Sequence, residues 1–210
     1  MQKFILIILA ILSAAIGLIL YQTYQQSQQV EQALVYQQPR SVLPFALTDH
    51  NGDEFANDRL AGKWSLVFFG YTSCPDVCPV TLQELNYVYA DLNKAAEDPV
   101  QVLLVSADPQ RDTTQRLNSY INYFNKEFIA LRAEHDVLFP FSRNLGLMYS
   151  ITDDMSKENY LVNHSASIVL INPQGKIQAI FKPAVQVGQV PSVDAKILLS
   201  DFAKIVKQTS

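Results

Sequence analysis

Cysteine is nearly absent from this sequence. The 210 residues include two cysteines, Cys74 and Cys78, which stand four positions apart. Small secreted folds that depend on disulfides use many cysteines, whereas a chain of this size can bury a core without them. So few thiols in so close a pair indicate residues placed for reactivity or for binding a ligand.

Charged residues are also few, at 17% of the chain, and the net charge is -4. Lysine and arginine do not cluster, so the sequence lacks the basic patch of a nucleic-acid-binding protein, and we expect no nucleic-acid partner. A hydrophobic content of 49% is that of a globular domain rather than of a disordered chain. The length allows one domain of ordinary size and an appendage.

Charge and proline are both missing from residues 4–20, which follow Lys3. This run reaches the lower limit for crossing a hydrocarbon core of about 30 Å. A cleaved signal peptide is the alternative, but the run continues past its small residues, which favours an uncleaved anchor. Lys3 orients the rest of the chain outside the cytoplasm. We predict a single-pass inner-membrane anchor over residues 1–21, a linker over residues 22–40 and a periplasmic or other extracytoplasmic domain over residues 41–210.

Beyond the linker, strand-like and helix-like segments alternate. A hairpin is predicted over residues 45–55, turning at an Asn-Gly pair. Further strands are predicted over residues 64–69, 100–105, 128–132, 167–171 and 176–181. Helices are predicted over residues 80–96, 114–124, 134–145 and 193–207. Because strands separated by helices pair in parallel and a final hairpin adds antiparallel strands, this order predicts a thioredoxin-like α/β fold with a central mixed sheet flanked by helices.

Both cysteines lie where the strand at 64–69 passes into the helix at 80–96, and an open α/β sheet carries its reactive site at such strand ends. If both occupy the first helical turn, with Pro75 opening it, their sulfurs share one face, and the helix start lowers their pKa. Thiolates bind Cu(I) and Zn(II), and they are the reactive form in disulfide exchange. The residues alone leave three alternatives: a structural disulfide, a redox pair and a metal site.

A third ligand would separate these alternatives, and the chain has three histidines. His50 beside the Asn-Gly turn and His135 between two acidic residues are expected to face solvent. His164 directly precedes the strand at 167–171, in a loop that packs beside the cysteine helix in a thioredoxin-like fold. It is therefore either a ligand or an ordinary loop histidine. Two thiolates and one imidazole suit Cu(I), whereas structural zinc normally takes four protein ligands.

Three segments carry a more specific combined pattern. They are residues 70–79 (GYTSCPDVCP), 106–113 (SADPQRDT) and 162–166 (VNHSA). In order and spacing they resemble the copper-motif segments of the Sco/SenC family, and the similarity covers residues 41–206. The resemblance implies a membrane-anchored, thioredoxin-like protein that binds a copper ion, as Cu(I) or Cu(II), through Cys74, Cys78 and His164. The chain departs from the family pattern at Asn163, where many members have aspartate, and at Ala107 and Gln110.

The same resemblance implies a metallochaperone that helps to assemble the CuA centre of a respiratory oxidase such as cytochrome c oxidase. Its partners would be the copper-receiving oxidase subunit and other copper chaperones, at the membrane. The alternative is a thiol–disulfide oxidoreductase, in which Cys74 and Cys78 would be catalytic and would reduce the cysteines of the oxidase copper site. Asp108 is expected to support the metal ligands from behind, or to cap the helix at 114–124.

Overall fold

The computed structural model describes residues 2–27, 29–151, 153–155, 160–184, 188 and 190–209. The chain divides into two compact units, Met1–Glu31 and Gln32–Ser210. The first unit contains helix α1 (Gln2–Ser27). No helix in the described part of the chain combines the length and the apolar character needed to cross a membrane. The transmembrane helix predicted over residues 1–21 is therefore not confirmed.

The second unit contains ten strands and four further α-helices among its described residues. The strands are β1 (Ala33–Ser41), β2 (Ala46–Asp49), β3 (Glu54–Ala56), β4 (Trp64–Gly70), β5 (Val100–Ser106), β6 (Ile129–Arg132), β7 (Tyr149–Ile151), β8 (Val162–His164), β9 (Ile168–Ile171) and β10 (Lys176–Phe181). The helices are α2 (Val77–Ala95), α3 (Thr114–Phe124), α4 (His135–Leu145) and α5 (Ala195–Thr209). A short 3-10 helix covers Asn57–Leu60.

Eight of these strands form one mixed sheet in the order β1-β10-β9-β4-β5-β6-β2-β3. The central strands β4, β5 and β6 run parallel, and the pairs on either side are antiparallel. Every residue of β4 and β5 is buried, as expected for parallel strands covered on both faces. This mixed sheet with its flanking helices is the predicted thioredoxin-like α/β fold.

Helix α4 ends as its sequence predicts. Gly146 follows the helix with φ 77°, in the left-handed region that favours glycine, and its N–H donates to the Arg143 carbonyl. The chain then enters β7, where Tyr149 stacks on Phe69 of β4 with ring centroids 5.6 Å apart. This aromatic contact seats β7 on the core near the carboxyl end of β4.

Strand β1 corrects the predicted linker, which cannot extend to residue 40. Ala33 pairs with Phe181 of β10, and the N–H groups of Gln32 and Ala33 donate to the buried carboxylate of Asp201 in α5, at 2.8 and 2.9 Å. The pairing register shifts between Val35 and Arg40. Polar residues and a proline in this stretch hide the strand pattern, and an edge strand with an irregular register accommodates both.

Strands β7 and β8 were not predicted as strands, because three residues are too few to display an alternating pattern. They pair with each other as a separate two-stranded ribbon. Tyr149 lies opposite His164, Ser150 opposite Asn163, and Ile151 opposite Val162. The ribbon brings the last histidine of the sequence back to the core beside β4.

Candidate metal centre

The two cysteines occupy different kinds of structure. Strand β4 leads into a loop of residues 71–76, here called the cysteine loop, and α2 begins at Val77. Cys74 lies in the cysteine loop and is half-buried, whereas Cys78 is the second residue of α2 and is fully buried. Cys74 precedes the first turn of α2, so the condition that both cysteines lie in that turn is met by Cys78 and not by Cys74. Pro79, rather than Pro75, lies in that turn, where its missing N–H costs no helical hydrogen bond.

His164, at the end of β8, faces both free thiols. Its Nε2 atom lies 3.3 Å from Cys78 Sγ and 3.7 Å from Cys74 Sγ. The three ligand atoms all lie within 4.8 Å of one another. His164 Nδ1 lies 3.2 Å from the carbonyl oxygen of Ser165, so a proton on Nδ1 can be donated there. That hydrogen bond leaves the lone pair of Nε2 directed at the sulfurs.

These distances suit a single metal ion. Thiolate sulfur and imidazole nitrogen bind metals at about 2.3 and 2.0 Å, so in a trigonal site they stand about 3.7 Å apart. The two observed sulfur–nitrogen distances, 3.3 and 3.7 Å, are close to this value. The residues present therefore fit a metal with little movement, and we call Cys74, Cys78 and His164 the candidate metal centre.

The two thiols have opposite tendencies to ionise. The pKa of Cys74 is lowered to about 4, chiefly because the Cys78 side chain hydrogen bonds to its sulfur. Burial opposes this shift, while His164 and the Cys78 N–H, 3.4 Å from the sulfur, add to it. Burial raises the pKa of Cys78, and the hydrogen bond to Cys74 keeps the proton in place. The metal-free pair therefore holds one thiolate, at Cys74, and one thiol, at Cys78.

Gly70 makes room for the buried cysteine. A Cβ at this position would lie 2.8 Å from Cys78 Sγ and 2.9 Å from a methyl carbon of Leu104. No side chain fits this gap without moving its neighbours, so only glycine lets α2 approach the end of β4 this closely.

Asp112 ties the cysteine loop to the end of β5. Its buried carboxylate accepts hydrogen bonds from the Thr72 N–H at 3.1 Å, the Thr72 hydroxyl at 2.5 Å and the Ser106 hydroxyl at 2.6 Å. Burial raises the pKa of this carboxyl, and its hydrogen bonds oppose the rise. Sequence reasoning missed Asp112. It lies within the 106–113 segment, but that segment also contains Asp108. Nothing in the sequence indicates which of the two carboxylates binds the cysteine loop.

Asp108 lies behind the histidine strand and does not cap α3. The cap of α3 is Thr113, whose side chain accepts a hydrogen bond from the Arg116 N–H at 3.2 Å. Asp108 is fully buried, pairs with the guanidinium of Arg111 and accepts a hydrogen bond from the Tyr160 hydroxyl at 2.5 Å. Tyr160 leads into β8, so Asp108 reaches the histidine strand without contacting a sulfur itself.

The other two histidines lie elsewhere. His50 is 9% exposed, and its Nδ1 accepts a hydrogen bond from the Ala130 N–H at 3.2 Å, so the expected solvent exposure is wrong. The pairing of β2 with β6 brings the turn after β2 against that backbone. His135 is partly buried, with Nδ1 2.8 Å from the Tyr149 hydroxyl. Among the described residues, the candidate metal centre is the one cluster of three or more histidine, cysteine or acidic side chains spaced to hold a metal ion.

Known proteins resemble this chain in fold and in sequence. The SCO1/SenC family matches residues 35–197. Mitochondrial protein SCO2 of Saccharomyces cerevisiae is 36% identical over 134 residues, which cover 63% of this chain and 44% of that protein. The chain thus matches less than half the length of this relative.

Several solved structures similar to this chain have copper bound, among them the two that follow. Arabidopsis thaliana ScoI matches with a TM-score of 0.68 and 26% identity, over 79% of this chain and 98% of that one. Yeast Sco1 matches with a TM-score of 0.68 and 27% identity, over 80% of this chain and 90% of that one.

Fold and ligand geometry together define a thioredoxin-like domain with two thiols and one imidazole gathered at the carboxyl end of its central strands. Because the family match covers well over half of the sequence, the chain belongs to the SCO1/SenC family. The resemblance stated from its three motif segments is thereby confirmed.

Proposed function

We propose that this protein binds one copper ion through Cys74, Cys78 and His164 and passes it to the copper centre of a respiratory oxidase. The observation that carries the proposal is the convergence of three ligand atoms within 4.8 Å, from residues up to ninety positions apart. Copper-bound structures of two relatives support the choice of metal. The oxidase as recipient follows from membership of the family and from the motif resemblance.

Cu(I) is the oxidation state that the ligand set favours. Two thiolates are soft ligands, and three-coordinate geometry suits Cu(I). Structural zinc takes four protein ligands, and no fourth histidine, cysteine or acidic residue joins the cluster in the described part of the chain. Asn163, which replaces the aspartate of many family members, adds no negative charge that would favour Cu(II).

We infer that copper is cargo rather than a permanent constituent. Cys74 and His164 are half-buried, so thiolates of a recipient can reach the site and displace the ligands one at a time. A recipient with a larger number of thiolate and imidazole ligands then retains the ion. We propose that another copper chaperone supplies the ion, as the motif resemblance implies.

We further propose that the copper-binding domain lies outside the cytoplasm, at the inner membrane. The support is the uncharged run at residues 4–20 with Lys3 before it. Fusion of a periplasm-dependent reporter enzyme to the carboxyl terminus tests the orientation. Reporter activity in intact cells is expected, whereas an inactive fusion, together with an active fusion to a reporter that works only in the cytoplasm, would contradict the proposal.

Metal analysis of the reduced full-length protein tests the copper site directly. Wild type is expected to retain one copper per chain against a competing Cu(I) chelator. His164→Ala should lose stable retention but still reduce a disulfide substrate, because both thiols remain. His135→Ala is the matched control and should retain copper as wild type does. A His164→Ala protein that holds one copper as tightly as wild type would show that the ligand assignment is wrong.

A further inference from the structure

The position of His164 depends on a short element. Strand β8 has three residues and pairs only with the three residues of β7 in the described structure. A two-stranded ribbon is marginally stable by itself, and a slip of one residue turns every side chain to the opposite face. Such a slip would direct Asn163 or Ser165, instead of the imidazole, at the cysteines. Contacts outside the ribbon must therefore fix its register.

Every second residue leading to the ligand points inward. Tyr160 and Val162 are 3% and 4% exposed, and His164 is half-buried, whereas Leu161 and Asn163 are exposed. The inward residues contact the domain core, and the Val162 N–H donates to the Tyr71 hydroxyl at 3.3 Å. Fixing Tyr160 thus fixes the face that His164 presents.

Tyr160 is held on three sides by the loop that follows β5. Its hydroxyl donates to Asp108 Oδ1 at 2.5 Å, and its carbonyl accepts from Arg111 Nη2 at 2.9 Å. The guanidinium carbon of Arg111 lies 3.5 Å from the centre of the Tyr160 ring. Asp108 also forms an ion pair with Arg111 Nε. The carboxylate that accepts the Tyr160 hydroxyl therefore also balances the charge of the guanidinium that lies over the Tyr160 ring. Charged hydrogen bonds of this kind, made in a buried setting, are stronger than neutral ones.

The same arginine reaches the other side of the site. Its guanidinium carbon lies 5.7 Å from the centre of the Tyr71 ring. The Tyr71 ring meets the His164 ring edge-on, with centroids 5.9 Å apart and an interplanar angle of 87°. Tyr71 begins the cysteine loop, and its carbonyl accepts from the Cys74 N–H at 3.2 Å. Arg111 therefore contacts both the histidine strand and the cysteine loop.

We propose that Asp108, Arg111 and Tyr160 form a latch that sets the register of β8 and thereby holds His164 against the two cysteines. The proposal deepens, and in its copper-dependent part rests on, the function proposed above. Cys74 and Cys78 are carried by the cysteine loop and α2, and the loop keeps its hydrogen bonds to Asp112 when Tyr160 leaves the latch, so both cysteines stay in place. Opening the latch removes His164 alone and leaves copper on two thiolates, which a thiolate of the recipient can then attack.

The latch can be tested first without metal. In full-length, reduced, metal-free protein, the nuclear Overhauser effect between the His164 and Tyr71 rings reports whether the imidazole is seated. Tyr160→Phe removes one buried hydroxyl and is expected to weaken this signal. Tyr89→Phe is the matched control, since its hydroxyl donates to the Val100 carbonyl at 2.9 Å, at the opposite end of β5. It should leave the signal unchanged.

Copper exchange supplies the second measurement. Tyr160→Phe should accelerate extraction of Cu(I) by a chelator about 10-fold, the size expected for losing one hydrogen bond to a charged group. Tyr89→Phe should extract at the wild-type rate. His164→Ala does not retain copper stably, so it is loaded with excess Cu(I) and mixed with the chelator at once. In this background Tyr160→Phe should change the extraction rate no further, because a residue that acts through His164 has nothing left to position.

Two results would overturn the latch. One is an unchanged ring–ring signal together with an unchanged extraction rate in Tyr160→Phe. The other is an equal acceleration with and without His164, which would indicate a general loosening of the fold. If wild type binds no copper, the proposed function is wrong. The ring–ring signal of the metal-free protein still tests whether the latch positions His164. If Tyr160→Phe does not fold, Arg111→Lys, which keeps the charge but not the planar contact, takes its place in both measurements.

Discussion

At the scale of single residues, Gly70 sets how closely the buried cysteine can approach the end of β4. The neighbouring atoms, Cys78 Sγ and a Leu104 methyl, leave no room for a side chain. The sulfur of Cys78 therefore lies between Gly70 at the end of β4 and the His164 ring. A change in this packing would move the Cys78 sulfur out of its place among the three ligands.

Gly70→Ala is expected to destabilise the fold and weaken copper retention together. The added methyl would lie 2.8 Å from Cys78 Sγ, and overpacking of this kind costs about 1–3 kcal/mol. Chemical denaturation and metal analysis of the reduced protein measure the two effects. Gly17→Ala is the control, because a Cβ there meets nothing within 4 Å. A Gly70→Ala protein as stable and as rich in copper as wild type would contradict the packing described.

The thiol of Cys74 should remain reactive in mildly acidic solution. Because its pKa is lowered to about 4 from an ordinary 9.0, it is ionised throughout the range from pH 6 to 9. Its alkylation rate should therefore be nearly flat over that range, whereas an ordinary thiol loses about tenfold per pH unit. Mass spectrometry of metal-free protein treated with iodoacetamide measures the rate at Cys74.

Cys78→Ala provides the control for that profile. It removes the hydrogen bond that contributes most to lowering the Cys74 pKa, so that pKa should rise. The alkylation rate should then fall as the pH is lowered. A wild-type profile with the slope of an ordinary thiol would contradict the assignment of the thiolate to Cys74.

At the scale of elements, the fold shows which sequence patterns are informative. The buried strands β4 and β5 and the helix Thr114–Phe124 were predictable, because long apolar or periodic runs record their environment. Strand β1 was not, because polar residues and a proline hide its pattern, and β7 and β8 were not, because each has three residues. The ligand His164 could be proposed from topology and resemblance, whereas Asp112 and the role of Tyr160 depend on loop conformations that no local pattern encodes.

Strand β1 should contribute measurably to stability, although it was predicted as linker. A chain that begins at residue 32 keeps the pairing with β10 and the hydrogen bonds to Asp201, and one that begins at residue 42 loses both. The shorter chain should be less stable by about 3 kcal/mol, the order expected for losing two hydrogen bonds to a buried carboxylate. Denaturant unfolding of the two chains tests this, and equal stability would mean that β1 contributes nothing to the domain.

At the scale of the whole molecule, the candidate metal centre joins three parts of the chain. Cys74 lies in the cysteine loop, Cys78 in α2 and His164 in β8, so none of these elements can leave the fold while an ion is bound. Binding should therefore be visible as global stabilisation of the second unit rather than as a local change.

Copper should raise the unfolding free energy of the reduced protein by about 2.7 kcal/mol when free Cu(I) is 100 times the Kd. Calorimetry with and without buffered Cu(I) measures the shift. Protein in which Cys74 and Cys78 have been oxidised to a disulfide should show no shift, because a disulfide cannot bind the ion. An equal shift in both forms would remove the cysteines from the site.

The unequal burial of the two cysteines decides from which side a copper ion can reach the site. Cys78 is fully buried behind β4, and Cys74 and His164 are the two ligands that solvent reaches. Copper therefore enters and leaves by one side, the side on which Cys74 and His164 are accessible. A protein that supplies copper and a protein that receives it must use the same surface, so they compete with each other and cannot be engaged at the same time.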